Sequence, residues 1–140
     1  MITPLVCDYM NTNLVYLREG DRVSVARKPM LDFGVSAVPI LDETHRPVAL
    51  VTFRDLAEQP ADPHPSAALT IAASATIEDA ARVLARNEAH HLVVVDGAGK
   101  ALGILSSLDV VRGLMDLPAR HPDKTTKETS HDTGDLRRPS

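Results

Sequence analysis

The stretch Val48-Ala-Leu-Val-Thr-Phe-Arg-Asp55 decides the fold, because it returns later in the chain as Leu102-Gly-Ile-Leu-Ser-Ser-Leu-Asp109. The two stretches lie 54 positions apart (residue 48 against residue 102), and they keep apolar, hydroxyl and carboxylate positions in step. The same shift aligns Val38–Asp42 with Leu92–Asp96. A repeat of this length is typical of a supersecondary unit that buries its apolar face against its neighbour. The sequence therefore predicts two copies of one unit, with the function in the seam between them.

Composition narrows the class of protein. The chain has 140 residues, which suits one compact domain made of two halves, and 44% of them are hydrophobic. Its net charge of −4 offers no basic face for nucleic acid. The single cysteine, Cys7, excludes an intrachain disulfide. No apolar run is long enough to span a bilayer, so we expect no membrane association and a cytoplasmic protein.

Apolar periodicity and turn residues predict the order strand–helix–strand–strand–helix in each copy. The first copy, residues 6–59, should begin with a helical turn at Val6–Met10. Its later elements are an extended Asn13–Leu17, a helical stretch over Arg22–Phe33 that Pro29 either kinks or breaks into a short helix, strands Ala37–Leu41 and Pro47–Val51, and a short helix that opens at Thr52. The elements predicted in the second copy, residues 68–117, include a helix capped by Thr76 and Asp79, strands Leu92–Val95 and Ala101–Leu105, and a helix over Ser107–Leu117. Residues 60–67 are predicted to form a proline-rich connector, and residues 118–140 a disordered polar tail.

Each copy carries a hydroxyl followed three residues later by an acid: Thr52 with Asp55, and Ser106 with Asp109. Both pairs follow an apolar strand and open a helix. This spacing is itself a helix-capping pattern, which is one interpretation. The other is a ligand site, because the N–H groups at such a turn suit phosphate and an acid there can accept from ribose hydroxyls. The two are compatible, since a carboxylate has more acceptor capacity than the cap consumes.

Two features of the chain resemble the CBS domain. One is the duplicated order of elements. The other is a motif, present twice, in which apolar residues are followed by Ser or Thr, two further residues and Asp. Two copies in tandem resemble a CBS pair, also called a Bateman module, and the resemblance covers Val6 to Leu117. It implies an α+β fold of two stacked copies related by pseudo-twofold symmetry. It also implies that AMP, ADP, ATP or S-adenosylmethionine binds in the cleft between the copies as a regulatory ligand, with no cofactor or metal required.

The same resemblance assigns roles to residues. Asp55 and Asp109 would hold ribose, and Thr52 and Ser106 would touch phosphate. Apart from the resemblance, Arg54 beside Asp55 is either a cation near the predicted phosphate or a solvated arginine at a helix start. The adenine would be sandwiched by residues of four strands, namely Val15, Leu17, Val38, Pro39, Ile40, Leu69, Ile71, Leu92 and Val93.

The two copies should bind unequally. The pair His90–His91 is similar to a His-Arg pair that meets ligand phosphates in the γ subunit of the AMP-sensing kinase, and His91 gains positive charge as pH falls. The first copy has Ser36 and Ala37 at these places, and Ala49 where the family favours Gly. The copy that bears the histidines should therefore be the better phosphate site.

No nucleophile with an activating base and no Gly-rich loop with a lysine is present, so we expect a protein that is not an enzyme. The expected function is a regulatory module that senses an adenosine-containing ligand and signals to an effector protein. The resemblance also implies a homodimer, because such modules usually pair with a second module, and exposed apolar helix faces would supply the self-complementary interface. The alternative is a ligand-free dimerisation or interaction scaffold whose motifs are only helix caps. Nucleic-acid binding through the tail is the least favoured option.

Overall fold

Both copies of the duplicated stretch fold as α+β units in a computed structural model that describes residues 3–59 and 63–121. Its elements are α1 (Val6–Tyr9), β1 (Leu17–Arg18), a 3₁₀ turn (Val23–Ala26), α2 (Arg27–Phe33), β2 (Ala37–Leu41), β3 (Pro47–Thr52), α3 (Phe53–Glu58), β4 (Ser66–Ala67), β5 (Thr70–Ala72), α4 (Ile77–Asn87), β6 (His91–Val95), β7 (Ala101–Ser106) and α5 (Ser107–Leu114). The predicted α+β class and the predicted order of elements are confirmed.

One compact unit runs from Leu14 to Ala68 and contains the first copy from Leu14 onward. Its sheet has the order β1-β2-β3-β4, in which β1 is parallel to β2 and the other pairs are antiparallel. β4 lies within the stretch expected to be a connector, and it pairs with β3 through Ala67 and Ala49. The core of this unit is aliphatic and consists of Leu17, Ala26, Met30, Val38, Ile40, Val51 and Leu56.

The other compact unit combines the second copy, from Leu69 onward, with the residues up to Asn13. Its sheet has the order β5-β6-β7, with β5 parallel and β7 antiparallel to β6. The core residues are Val6, Met10, Ile71, Ile77, Ala80, Leu84, Leu92, Val94, Leu105 and Val110.

The helical turn α1 packs with the second copy, although the sequence analysis counted Val6–Met10 with the first. The N–H of Val6 donates to the carbonyl of Ala75 at 2.8 Å. Farther on, Asn11 exchanges two backbone hydrogen bonds with Ile104 of β7, at 2.8 and 3.1 Å. Residues that the sequence prediction placed outside each copy thus extend both sheets: β4 joins β3, and Asn11 forms an isolated bridge with Ile104 of β7.

Two helices differ from their predicted limits. Pro29 is the third residue of α2, where the missing N–H has no helical acceptor to lose, so the break falls earlier, between the 3₁₀ turn and α2. α5 ends at Leu114 rather than Leu117. There Asp116 adopts a left-handed φ of 57°, and the N–H of Leu117 donates back to the carbonyl of Arg112 at 2.8 Å.

The aligned aspartates of the strand–strand turns have the same structural role. Oδ1 of Asp42 accepts from the N–H groups of Thr44 and Arg46 at 2.8 and 3.0 Å. Oδ1 of Asp96 accepts from Ala98 and Lys100, both at 2.9 Å. These hydrogen bonds lower the pKa of Asp42, chiefly the bond from the Thr44 hydroxyl. The carboxylates therefore hold the two turns closed.

Among the described residues, no helix combines the length and the apolar character needed to cross a bilayer.

Candidate functional site

The duplicated motifs form a strand-to-helix corner in each unit. Thr52 ends β3 and caps α3, and Ser106 ends β7 and caps α5. In each corner the hydroxyl accepts from the N–H of the aspartate, at 3.3 Å for Asp55 and 3.2 Å for Asp109. The aspartate Oδ2 in turn accepts from the backbone N–H of the capping residue, at 2.9 Å in both. The capping interpretation is therefore confirmed as far as it goes.

A third capping box, made by Thr76 and Asp79, shows what capping alone requires. It has the same two capping hydrogen bonds: the Asp79 N–H donates to the Thr76 hydroxyl at 3.1 Å, and the Thr76 N–H donates to Oδ2 of Asp79 at 3.4 Å. Yet 55% of the Asp79 side chain is exposed, against 2% for Asp109. Burying a carboxylate is costly unless it is fully paired, and a cap does not require burial. The burial of Asp109 therefore needs an explanation beyond capping.

The cap uses only one carboxylate oxygen of each motif. In both corners Oδ2 also accepts from the hydroxyl, at 3.1 Å from Thr52 and 2.9 Å from Ser106. Oδ1 of Asp109 accepts instead from Nε of Arg120 at 3.0 Å. Within the part of the chain that the structure describes, no hydrogen bond reaches Oδ1 of Asp55. In both aspartates Oδ1 is thus an acceptor atom that the helix cap does not use.

Arg120 is the site residue that the sequence analysis missed. Besides the bond to Asp109, its Nη2 lies 3.4 Å from the Ser106 hydroxyl. The sequence placed residue 120 in an unstructured tail, because the stretch is polar and shows no periodicity. No sequence signal connects it with Asp109, which precedes it by eleven positions.

The two adjacent histidines point in different directions, as expected for neighbours at a strand end. His91 opens β6 opposite Ser106, and it is half-buried. Burial lowers the pKa of His91, His90 and Arg120 lower it further, and Asp109 opposes them. His90 instead lines a groove between α4 and α5. The lowered pKa favours a neutral His91 at pH 7, which can donate one hydrogen bond to a ligand but adds no positive charge.

His121 also lies near Asp109 and Arg120. Its pKa is lowered by burial, with Asp109 raising it and Arg120 lowering it. The structure therefore brings Ser106, Asp109, His91 and Arg120 together, with His121 near them. Within residues 3–59 and 63–121, no three His, Cys, Asp or Glu side chains are grouped so as to hold a metal ion.

Arg54 turns toward its own helix. Its Nε donates to Oε1 of Glu58 at 2.8 Å, on an exposed surface. This hydrogen bond raises the pKa of Arg54, and the charge of Asp55 adds a smaller contribution. Arg54 is thus paired with Glu58 in the structure, and its contact with a ligand stays a prediction.

The residues predicted to sandwich adenine lie inside the protein. Leu17, Val38, Leu92 and Val93 have no exposed surface, and most of the set belongs to the two hydrophobic cores. Leu69 is the member with partial exposure. Their role toward adenine stays a prediction, since contact would require the fully buried ones to be uncovered.

The absence of a side chain at Gly103 lets the backbone of Asn11 approach closely. A Cβ at this position would lie 2.5 Å from the carbonyl oxygen of Asn11 and 3.3 Å from Sδ of Met10. Its counterpart in the first copy, Ala49, pairs with Ala67 of the antiparallel strand β4. The difference between Gly and Ala at this place thus accommodates the chain's own N-terminal segment.

Comparisons with known proteins agree with this geometry. The family model of the CBS domain matches residues 6–62 and 65–116. Homoserine O-acetyltransferase of Methanosphaerula palustris is 31% identical over 125 residues, which cover 84% of this chain and 25% of that protein. The chain thus spans about a quarter of the length of this curated relative.

Two solved structures share the fold. The crystal structure of CBSX2 in complex with AMP has a TM-score of 0.70 at 26% identity, over 81% of this chain and 97% of that one. The CBS domain pair of protein MJ0100, in complex with 5′-methylthioadenosine and S-adenosyl-L-methionine, has a TM-score of 0.72 at 20% identity, over 82% and 98%. The resemblance identified from the sequence is confirmed.

Proposed function

The chain belongs to the CBS domain family, and on this premise we propose that it is a regulatory module that binds an adenosine-containing ligand. We place the ligand at the strand-to-helix corners of Ser106–Asp109 and Thr52–Asp55. The observation that carries the proposal is the matching pair of corners, because in each one the cap hydrogen bonds use Oδ2 of the aspartate and not Oδ1. The AMP in the CBSX2 structure and the S-adenosyl-L-methionine in the MJ0100 structure support the ligand class.

Ribose is the part of the ligand that the corner suits best. The 2′- and 3′-hydroxyls of ribose are hydrogen-bond donors, and a carboxylate held at a helix start can accept from them. A phosphate has fewer partners here. The N–H of Ser107 donates to the carbonyl of His90 at 2.8 Å, and the N–H of Asp109 donates to Ser106. Two amides of the first turn are thus already used, so binding should depend more on the nucleoside than on the phosphate count.

The test is a binding series with AMP, ADP, ATP and S-adenosylmethionine, read by thermal shift and calorimetry. Ligand at about a hundredfold over its dissociation constant should stabilise the fold by roughly 2.7 kcal/mol. Asp109→Asn and Asp55→Asn should each weaken binding at their own corner, because the amide preserves the shape but replaces an acceptor with a donor.

Asp79→Asn is the matched control, since Asp79 has the same capping geometry on an exposed surface. It should leave binding unchanged. If none of the four ligands shifts the unfolding temperature, the ligand-free scaffold is the better account. If binding survives in a double Asp55→Asn, Asp109→Asn variant, the ligand lies elsewhere.

We further propose that the module forms a homodimer through the face shared by α4 and α5. A groove of about 420 Å³ lies between these helices, and its lining is mostly apolar. On α5 the exposed apolar side chains are Leu108, Val111 and Leu114, followed by Met115. An apolar face of this kind on a small protein indicates an interface, and a twofold axis can pair it with itself.

Sedimentation equilibrium tests the dimer. Leu114→Glu should shift the protein to monomer, whereas Val48→Glu, at an exposed apolar position on β3, should not. A monomeric wild-type protein at tens of micromolar would refute the dimer. The effector protein stays a prediction from the resemblance. We assign no catalytic step to the chain, because the match to the acetyltransferase covers a quarter of that enzyme.

A further inference from the structure

Arg120 lies where the ribose of the proposed ligand would bind. Its Nε donates to Oδ1 of Asp109 at 3.0 Å, and Oδ1 is the one oxygen of that carboxylate that the cap leaves over. Its Nη2 approaches the Ser106 hydroxyl at 3.4 Å. Asp109 and Ser106 therefore contact Arg120 within the protein and are also the residues proposed to bind the ligand.

The chain path that delivers Arg120 is fixed by hydrogen bonds. The Tyr9 hydroxyl donates to the carbonyl of Leu117 at 2.8 Å. Nε of Arg112 donates to the carbonyl of Pro118 at 2.7 Å, and the N–H of Leu117 donates to the carbonyl of Arg112 at 2.8 Å. We call residues 117–121 the strap. Its anchors lie on α1 and α5, so it belongs to the folded second unit.

The ion pair explains how Asp109 can be buried without a ligand. A buried carboxylate that lacks partners costs free energy, and a guanidinium hydrogen bond is among the strongest available replacements. The first copy differs. In the part of the chain that the structure describes, no ion pair joins Asp55, and Arg54 binds Glu58.

We infer that Arg120 is a built-in competitor for the ribose site of the second copy, and that ligand binding there releases the strap. The inference rests on the proposed function. The Asp109 side chain is only 2% exposed while Arg120 is bound to its Oδ1. A ribose hydroxyl can therefore reach Oδ1 only after the guanidinium has moved. By linkage, the ligand then weakens the strap as much as the strap weakens the ligand. The corner of the first copy has no such competitor among the described residues, so the two corners differ in affinity for the same nucleoside.

The test measures adenosine and AMP binding by calorimetry in a chain that carries Asp55→Asn, so that only the second corner is observed. Arg120→Met should tighten both ligands by about tenfold, which corresponds to about 1.4 kcal/mol. The gain should be equal for adenosine and AMP, because the competition is for ribose. Arg86→Met, which removes an exposed arginine of α4, is the matched control and should change neither affinity.

A second variant keeps the inference testable if Arg120→Met fails to fold. Tyr9→Phe removes one anchor of the strap and leaves Arg120 in place, so it should tighten both ligands by a smaller factor. Unchanged affinity in both variants would overturn the competitor role while the proposed function stands. So would a selective loss of AMP affinity in Arg120→Met, because Arg120 would then hold phosphate. If neither the parent nor the variants bind adenosine or AMP, the proposed function fails and the competitor role fails with it.

Discussion

The contact between Gly103 and Asn11 can be tested with a single methyl group. In Gly103→Ala the new Cβ would meet the Asn11 carbonyl oxygen at 2.5 Å and its carbonyl carbon at 3.2 Å. These are backbone atoms, and Asn11 is held by two hydrogen bonds to the neighbouring residue, Ile104. The methyl group therefore cannot be accommodated by a side-chain rotation, and the N-terminal segment has to move.

Two estimates of the cost agree. If Asn11 stays, the added methyl overpacks the site, which typically costs about 1–3 kcal/mol. If Asn11 leaves, its two hydrogen bonds to Ile104 are lost at about 1 kcal/mol each. We therefore expect Gly103→Ala to lower the free energy of unfolding by roughly 2 kcal/mol, or the unfolding temperature by about 5–10 °C.

Urea denaturation followed by far-ultraviolet circular dichroism measures this cost. Gly97→Ala is the control, because a Cβ at Gly97 meets no atom within 4 Å and the backbone φ there is not left-handed. It should change the free energy of unfolding by less than about 0.5 kcal/mol. Equal stability of Gly103→Ala and Gly97→Ala would refute the close approach of Asn11 to β7.

Three further predictions concern the second unit. Gly113→Ala should destabilise the fold by about 1 kcal/mol, because its Cβ would lie 3.0 Å from two carbons of Ile77, and the cost should shrink in an Ile77→Val background. A Gly113→Ala variant more stable than wild type would contradict that contact. Thr76→Ala should cost about 1 kcal/mol through loss of the α4 cap while leaving AMP binding unchanged; a change in AMP affinity would make this box part of the site. Because burial lowers the pKa of His91 below its usual 6.5, the unfolded chain takes up the proton more readily. The contribution of a neutral His91 to the free energy of unfolding is therefore present above pH 6.5 and is lost as the pH falls below 6.5. Urea denaturation at pH 7.5 and 5.5 should show this loss. His91→Asn should reduce the loss, and an undiminished loss would assign it to other groups.

Local chemistry made much of this fold predictable. The capping boxes of Thr52, Thr76 and Ser106 join residues three apart, so their hydrogen bonds depend only on the helix that they open. The turns at Asp42 and Asp96 are likewise closed within four residues. Because these interactions are local, a shift of the sequence against itself was enough to align the box of Thr52 with that of Ser106, and the turn at Asp42 with that at Asp96.

The rest depends on where distant parts of the chain meet. No pattern in the sequence shows that Asn11 pairs with β7, that Ser66–Ala67 forms a strand on β3, or that α1 packs with the second copy. These pairings are set by long-range packing, which local propensity does not encode.

The candidate site shows the same division. The motif residues Ser106 and Asp109 could be identified from spacing and resemblance, because a hydroxyl and an acid at a strand-to-helix junction have a limited set of uses. The burial of Asp109, its pairing with Arg120 and the lowered pKa of His91 could not. Burial and ion pairing depend on the path that the chain takes after α5, and a polar stretch without periodicity contains no local signal of that path. The sequence thus determines the chemistry available at the corner, and tertiary packing decides which group holds the carboxylate.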